Sequence, residues 1–331
     1  MLVLAEITAR VFLTRRDFNG LATIEFATKI RVYLNSIKYR GNNKGNRELI
    51  CLAKAANDYP RKNISPFYQK YEQGFKKFLK TANNIPVTIL YLPSSEKRDL
   101  HKQFFSDLSR KYSLEFIDMS NTLRTSGEFE TWTLKPENGH LSRFGNRIIA
   151  NQLSGYILDK YSNDEKIFSR NKKIIKSQIA SLKPSKSSIW NIDPRMVYRV
   201  YTNKNGFRTK NEIKSDGYIV TVYGDSFTFG PYLANHDTYT EITNKNLFKL
   251  GEKNIQILNA GIAGSTIFHQ IETLKKTVGL KPNLIILQVL DNDIYEVSYA
   301  KMRHTQPVMI SDSNLLKPSV EEIKILENCD I

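Results

Sequence analysis

Short, continuous apolar runs in five places along the chain predict buried β-strands. The runs cover residues 85–92, 114–119, 218–223, 254–258 and 284–290. Most of them lack the alternation of polar and apolar positions that marks a half-exposed strand, and this is typical of strands buried on both faces of a parallel sheet. The pattern therefore predicts a parallel sheet that is covered on both sides.

Between these runs, apolar residues recur at helical spacing. One helix is predicted to begin at Ser65 and Pro66, a typical N-cap and first helical residue. A second apolar face extends from Ile267 to Val278 and ends at Gly279. Strands that alternate with helices predict an α/β fold, a doubly wound sandwich with one sheet between two helix layers.

A polar stretch rich in Lys, Ser and Asn, residues 162–188, predicts a connector between two halves of the chain. The first half, residues 1–161, contains two of the strand-like runs, and the second half, residues 189–331, contains three. The sequence contains no internal repeat. This favours one sheet shared by the two halves over two complete domains.

Composition narrows the function classes. Hydrophobic residues make up 40% of the chain and charged residues 25%, which is ordinary for a globular protein. The net charge of +16 would suit a nucleic-acid partner, but the basic residues are dispersed and accompany no known nucleic-acid-binding motif. We therefore expect a basic, solvated surface and no nucleic-acid partner.

Targeting and cofactor signals are sparse. Cys51 and Cys329 lie far apart, so no disulfide framework is indicated and the localisation stays unknown. The sequence has no Cys and His ligand pattern, so neither a metal nor another cofactor is expected. The apolar start, residues 1–13, is interrupted by Glu6 and Arg10 and is too short to span a bilayer. A degenerate membrane anchor and an ordinary first helix both fit it, which leaves membrane association open.

The strongest chemical signal is Gly224-Asp225-Ser226, which directly follows the run 218–223. In an open α/β sheet the carboxyl ends of the strands border the ligand crevice, so a serine hydroxyl just beyond a strand is placed for nucleophilic attack. A turn that only reverses the chain fits the same residues.

Two further segments follow strand-like runs and offer hydrogen-bond donors. Gly264 lies in the segment 259–265, where a loop followed by a helix presents free backbone N–H groups. Asn292 follows the run 284–290 and can aim its side-chain amide at the same point. Taken singly, each also fits a structural role, glycine as a turn former and asparagine as a strand terminator.

These segments, together with residues 203–208 (Asn-Lys-Asn-Gly-Phe-Arg), resemble the opening half of SGNH hydrolases, also called GDSL esterases. The resemblance covers about residues 197–295 and includes three of the family's four characteristic blocks. It implies that Ser226 is the nucleophile. It also implies that the Ser226 N–H, the Gly264 N–H and the Asn292 side chain form the oxyanion hole.

The family's fourth block, an acid three residues before a histidine, stands earlier in this chain instead of last. Residues 137–150 resemble it, and the match extends over about residues 66–161. The resemblance implies that His140 is the catalytic base and that Glu137 orients its imidazole. The family usually has Asp in place of Glu137 and often has glycine in place of Leu290.

Other residues compete for these roles with weaker support. Asp118, at the end of a strand-like run, is a second candidate for the orienting acid. His269 is predicted to point away from the core, because it lies about 200° around its helix from Ile271 at roughly 100° per residue. No acid stands three residues before the remaining histidines, which are His101, His236 and His304.

Three explanations account for the order of the blocks. The halves form one circularly permuted domain, or they belong to two domains of a tandem protein, or they complete partner chains by exchanging half-domains. One composite domain is favoured. The resemblance then implies a flavodoxin-like three-layer α/β/α sandwich with five parallel strands in the order 2-1-3-4-5. In this numbering the run 218–223 is first, and the runs 85–92 and 114–119 are fourth and fifth.

The combined prediction is a serine esterase that hydrolyses carboxylic esters through an acyl-enzyme. Acetyl or other acyl esters of glycans, lipids or small molecules are the expected substrates. Two alternatives stay open. One is an O-acyltransferase that uses a glycan hydroxyl in place of water, and the other is an inactive SGNH-like binding module that keeps the fold.

Overall fold

The structure is a computed structural model that describes residues 64–94, 99–134, 139–162, 180, 182–190, 197–214 and 216–297. Several expectations concern residues outside these ranges, namely the apolar start, the two cysteines, Glu137 and His304. Most of the connector 162–188 also lies outside the described residues.

The chain divides into two compact units. The larger unit, Lys70–Ile294, contains the sheet and the predicted site residues. In the other unit the described residues are 64–69 and 295–297. There the rings of Phe67 and Tyr295 meet edge-on, with their centroids 5.8 Å apart.

Five of the described strands form one parallel sheet. In chain order, the described strands are β1 (Val87–Tyr91), β2 (Glu115–Asp118), β3 (Ser187–Trp190), β4 (Tyr198–Tyr201), β5 (Tyr218–Tyr223), β6 (Ile255–Asn259) and β7 (Leu284–Val289). The sheet has the order β2-β1-β7-β5-β6, and every neighbouring pair is parallel. Counted from β5, this is the order 2-1-3-4-5, so the predicted strand order is confirmed. β7 pairs with β1 on one side and with β5 on the other, so both halves of the chain contribute to one sheet.

Helices separate the strands along the chain. In chain order, the described helices are α1 (Ser65–Ala82), α2 (Lys102–Lys111), α3 (Ser120–Thr125), α4 (Phe129–Trp132), α5 (Arg143–Ser162), α6 (Ser226–Phe229), α7 (Tyr239–Lys249), α8 (Ile267–Thr277) and α9 (Asn292–Glu296). α1 begins at Ser65 as predicted. α8 begins as predicted but ends at Thr277, and a 3₁₀ turn at Val278–Leu280 continues its apolar face. Among the residues described here, no helix combines the length and the apolarity needed to cross a membrane.

Helices cover both faces of the sheet. Alternate residues of a strand point to opposite faces, so Val222 and Tyr223 contact different helix layers. Val222 belongs to a core cluster with Leu153 of α5 and Leu247 of α7. The Tyr223 ring instead meets Phe78 of α1, with centroids 5.7 Å apart. The arrangement is consistent with the predicted three-layer sandwich.

Burial follows the position of each strand in the sheet. Every residue of β1, β5, β6 and β7 is buried, as the continuous apolar runs predict. β2 is an edge strand and exposes Glu115 and Asp118. β6 is the opposite edge but stays covered, because the Gln256 side chain exchanges hydrogen bonds with Glu212 O and the Lys214 N–H.

β3 and β4 form a separate antiparallel pair that the sequence pattern does not predict. β3 begins inside the polar stretch assigned to the connector, and each strand has only four residues, too few to establish a periodicity. Tyr198 and Val200 of β4 pack with Phe229 in a small core cluster. The hairpin therefore contacts the region that follows β5.

Contacts of the first turn of α5 with the start of α7 and with the turn before it join the two halves. Asn146 is fully buried, and its Oδ1 accepts a hydrogen bond from the Tyr239 N–H at 2.8 Å, while its Nδ2 donates to Ser142 O at 2.9 Å. Arg143 at the start of α5 forms an ion pair with Asp237, with Nε and Oδ2 2.9 Å apart. These contacts fix the beginning of α5 and, with it, the segment that carries His140.

Candidate active site

The link between β5 and α6 is a tight turn built around Gly224. A β-carbon at this position would collide with the Gln288 side chain, so the turn requires glycine. Asp225 caps α6, its Oδ1 accepting a hydrogen bond from the Phe227 N–H at 2.9 Å. Ser226 is therefore the first residue of a helix. It is half-buried, whereas Asp225 beside it is buried.

Hydrogen bonds from several directions hold α6. Thr228 Oγ1 donates to Gln288 Oε1 at 2.9 Å and lies 2.7 Å from Tyr239 OH. The Asn259 side chain donates to the Thr228 carbonyl at 2.8 Å. Gly230 ends the helix with φ +77°, a left-handed conformation that glycine adopts without strain. The predicted nucleophile is thus carried by a turn with little freedom to move.

The loop after β6, which carries Gly264, lies against this turn. The Ile262 N–H and Ser265 Oγ both donate to Gly224 O, at 3.2 and 3.1 Å. A β-carbon at Gly261 would collide with the backbone of α6, so glycine permits the close approach. Gly264 itself adopts φ +72°. The loop of the predicted oxyanion donor is therefore bonded directly to the turn of the predicted nucleophile.

Asn292 lies beyond the other neighbour of β5. It begins α9 shortly after β7, and its side-chain amide donates a hydrogen bond to the Asp225 carboxylate. Asp291, the residue before it, is buried and accepts hydrogen bonds from Tyr91 OH at 2.8 Å and from the His101 N–H at 3.0 Å. These bonds hold the Asn292 amide beside the turn that carries the serine.

His140 lies in a short loop that is closed at its base. The Ser142 N–H donates to Trp132 O at 2.9 Å, and the Leu134 N–H donates to His140 O at 2.7 Å. A β-carbon at Gly145, in the first turn of α5, would collide with Trp132 O. Glycine at this position lets the loop pack directly on the helix that follows it.

This loop brings His140 to the nucleophile turn. The imidazole centroid is 5.5 Å from the ring of Phe227, which directly follows Ser226, and 6.0 Å from the ring of Tyr232. His140 also interacts electrostatically with Asp225. Residues from before and after the connector therefore meet at one point.

Four of the five predicted site residues lie around this turn at the carboxyl edge of the sheet. They share partial exposure, and they are Ser226, Gly264, Asn292 and His140. The fifth residue, Glu137, lies outside the described residues. The strand order explains why Gly264 and Asn292 lie beside Ser226, because β6 and β7 flank β5 and bring their following loops to either side of α6.

No family model, curated protein or solved structure matches the chain. The site is therefore defined by its geometry and by the sequence motifs that predicted it. Within the described part of the chain, no three His, Cys, Asp or Glu side chains are grouped as metal ligands would be.

Asp225 is a buried acid next to the predicted nucleophile. Burial raises the pKa of its carboxyl above the ordinary value, while the hydrogen bond from the Phe227 N–H, the electrostatic interaction with His140 and the bond from Asn292 limit the rise. The sequence pattern assigns Asp225 no role of its own. The sequence signal that could have indicated a role for Asp225 is its position between the end of a strand and the serine.

The competing candidates for the orienting acid and the base, Asp118 and His269, make hydrogen bonds in other parts of the structure. Asp118 accepts a hydrogen bond from the Ser120 N–H at 2.8 Å and pairs with Lys102 at 3.2 Å. It lies on β2, so β1 and β7 separate it from β5. His269 caps α8, where its Nδ1 accepts a hydrogen bond from the Thr266 N–H at 3.1 Å. It lies off the buried face of that helix, as predicted.

Two aromatic neighbours of His140 are missing from the sequence-based site. Phe227 and Tyr232 follow the serine closely, but an aromatic residue after a turn is most often a core residue. Tyr232 adopts φ +63°, which no sequence pattern indicates for a bulky residue. Their contacts with His140 become evident only when both halves are folded together.

Proposed function

We propose that this chain is a serine esterase of the SGNH type, with Ser226 as nucleophile and His140 as base. The observation that carries the proposal is the contact of the His140 ring with Phe227, the residue next to Ser226. Packing of the two halves does not by itself require a histidine from before the connector and a serine from after it to lie close together at the carboxyl edge of the sheet. A ligand crevice at that edge gives the meeting a chemical reason.

The first half-reaction forms an acyl-enzyme. His140 takes the proton of the Ser226 hydroxyl while Oγ attacks the ester carbonyl carbon, which gives a tetrahedral intermediate with a negatively charged oxygen. The Ser226 N–H, the Gly264 N–H and the Asn292 amide stabilise this oxyanion. The intermediate then expels the alcohol, which takes the proton from His140.

The second half-reaction repeats these steps with water. His140 takes a proton from water, the resulting hydroxide attacks the acyl carbonyl, and Ser226 leaves with the proton returned by His140. If a sugar hydroxyl attacks in place of water, the same site transfers the acyl group to a glycan. Glu137 would orient His140 in either case.

Preorganisation supports this assignment. The bonds of the Gly264 loop to Gly224 O and of Asn292 to Asp225 hold the donors near the serine before any substrate binds. Donors that are fixed in advance stabilise a developing charge without reorganising at the moment of reaction, which is how they accelerate acyl transfer.

Substrate turnover and covalent labelling test the proposal together. We expect the protein to hydrolyse p-nitrophenyl acetate and to react with a fluorophosphonate probe, and the labelled peptide should contain Ser226. Product analysis with and without an added glycan then separates the hydrolase from the O-acyltransferase. A protein that neither turns over the ester nor takes the label at Ser226 would be a binding module that keeps the fold.

A further inference from the structure

The segment 203–208 ends in a buried cation for which the proposed reaction has no use. Arg208 is fully buried, and its guanidinium donates hydrogen bonds to the carbonyl oxygens of Phe229, Gly230 at 2.6 Å and Leu233 at 2.5 Å. Its Nε also donates to Asn235 Oδ1 at 3.4 Å. One side chain thus binds three carbonyl groups at the end of α6 and in the loop that follows it.

The residues before Arg208 fix its position. Asn203 is buried, and its Oδ1 accepts hydrogen bonds from the Asn205 N–H at 3.0 Å and the Phe207 N–H at 3.1 Å. Gly206 adopts φ +74°, and a β-carbon there would collide with a backbone carbonyl. The Arg208 N–H then donates to the carbonyl of Asn259, the last residue of β6, at 3.0 Å. The turn therefore holds the arginine against the sheet.

The loop depends on this cation because a buried charge needs partners. Burial lowers the pKa of Arg208 to about 10, so the guanidinium still carries its charge at neutral pH. Its charged carbon lies 4.5 Å from the centroid of the Phe229 ring. Any other path of the loop would separate the guanidinium from its carbonyl partners, and an unpartnered buried cation is strongly unfavourable.

The loop held in this way presents Tyr232. Tyr232 has φ +63°, a conformation that is strained for a bulky side chain. Its ring contacts the His140 imidazole at 6.0 Å with the planes 64° apart, and it contacts the Tyr198 ring at 5.8 Å. Strained backbone persists where surrounding structure enforces it, and such outliers concentrate at functional sites.

We infer that Tyr232 is a positioning residue for His140, held in place by the loop that Arg208 folds. This inference rests on the proposed function. Tyr232 and Phe227 both pack against the imidazole, and rings on two sides limit its rotation beside the turn that carries Ser226. The role requires the ring of Tyr232 and not its hydroxyl.

A pair of substitutions tests the ring. Tyr232→Gly removes the ring and suits the left-handed backbone, whereas Tyr232→Phe keeps the ring. We expect Tyr232→Gly to lower kcat by up to about 100-fold with KM changed by less than about 3-fold, because mispositioned catalytic groups slow the chemical step. Tyr232→Phe should retain a kcat near that of the wild type. Thermal unfolding of both variants checks that the fold is intact.

NMR of the imidazole provides a readout that does not need activity. With isotope-labelled histidine and a His140→Gln variant for assignment, the His140 ring signals should shift and broaden in Tyr232→Gly and stay close to wild type in Tyr232→Phe. Unchanged kcat and unchanged His140 signals in Tyr232→Gly would overturn the inference, as would an equal loss in both variants. If the wild type hydrolyses no ester but the signals respond as expected, the proposed function fails and the positioning role stands.

Discussion

The nucleophile region and the base region of this protein are held in different ways. The turn that carries Ser226 is capped by Asp225, and hydrogen bonds from the loop after β6 to Gly224 O also hold it. The loop that carries His140 is closed by hydrogen bonds of its own, from the Leu134 N–H to His140 O and from the Ser142 N–H to Trp132 O. The nucleophile turn is thus fixed by hydrogen bonds at the sheet edge, whereas the His140 ring meets that turn through packing with aromatic rings.

This difference explains why the order of the blocks is compatible with one site. The bonds that hold the nucleophile turn come from neighbouring strands of the sheet, so they depend on the spatial order of the strands and not on their order along the chain. The base region needs a surface to pack on, which α7 and the aromatic rings after Ser226 provide. A sheet with the same spatial strand order offers that surface whichever half is synthesised first.

The largest effect is expected from the nucleophile itself. Ser226→Ala should lower kcat for ester hydrolysis by about 10⁴-fold or more, since loss of a serine nucleophile removes the acyl-enzyme route. The fold should persist, because the hydroxyl lies at a half-buried helix start and contributes little packing. Steady-state kinetics and circular dichroism check both points. Ser162→Ala, at the exposed end of α5, is the matched control, and full activity in Ser226→Ala would remove the serine from the mechanism.

A double mutant asks whether the two regions act as one unit. His140→Ala should cost nearly as much as Ser226→Ala, and the double variant should be scarcely worse than either, because catalytic residues that act together have strongly non-additive effects. Kinetics of the four proteins provide the cycle. If the fold-decreases in kcat of the two single variants multiply in the double variant, the serine and the histidine act independently. That result would contradict a single catalytic unit formed by the two regions.

A smaller effect is expected at the joint between the halves. Asn146→Ala leaves the buried Tyr239 N–H without its partner and should lower the free energy of unfolding by about 1–3 kcal/mol. Asn151→Ala is the control, since Asn151 is exposed on the same helix and should change stability by less than about 0.5 kcal/mol. Both changes convert asparagine to alanine in α5, so helix propensity cancels. Urea unfolding measures the difference, and equal costs would contradict a specific joint.

The smallest effect is a pH dependence of opposite sign at two acids, Asp225 in the nucleophile region and Asp99, which precedes α2 and pairs with Lys102 and Arg124 outside both regions. Burial raises the pKa of Asp225, whereas hydrogen bonds from Arg124 and Lys102 outweigh burial and lower the pKa of Asp99. Folded Asp225 therefore holds its proton more tightly than the unfolded chain does, and folded Asp99 less tightly. As pH rises from the unfolded pKa of about 3.9 toward its raised folded pKa, ionisation of Asp225 destabilises the fold, whereas Asp99 stabilises the fold as pH rises from its lowered folded pKa toward about 3.9.

Substituting each acid by its isosteric amide reveals the sign of its contribution to the pH dependence of stability. Relative to wild type, Asp225→Asn should become more stable as pH rises, and Asp99→Asn should become less stable. The difference at Asp225 fades below the unfolded pKa, and the difference at Asp99 fades only below the lowered folded pKa of Asp99, where its carboxyl is protonated in both the folded and the unfolded chain. Urea unfolding between about pH 2 and pH 8 measures the two trends. Trends of the same sign would show that the acids do not differ as their surroundings indicate.

The sequence predicts the sheet better than it predicts the site's surroundings. The strands follow from continuous apolar runs, because burial on both faces leaves a strong local pattern, and their predicted order follows from the family resemblance. Ser226 and His140 stand in recognisable motifs. The strands of the β3–β4 hairpin are too short for a hydrophobic pattern to predict them. The contact between Tyr232 and His140 joins residues that lie far apart along the chain, and no sequence motif links them. The sequence pattern does not predict packing contacts between residues that are far apart along the chain.

The central place of β7 has a consequence for synthesis. β7 is the last of the described strands along the chain, yet it lies between β1 and β5. Until it leaves the ribosome, the β1–β2 pair and the β5–β6 pair each expose an edge of unpaired N–H and C=O groups that can join another chain. The two pairs can therefore close into one sheet only after β7 has been synthesised. A nascent chain that stalls before residue 284 is the species most in need of a chaperone.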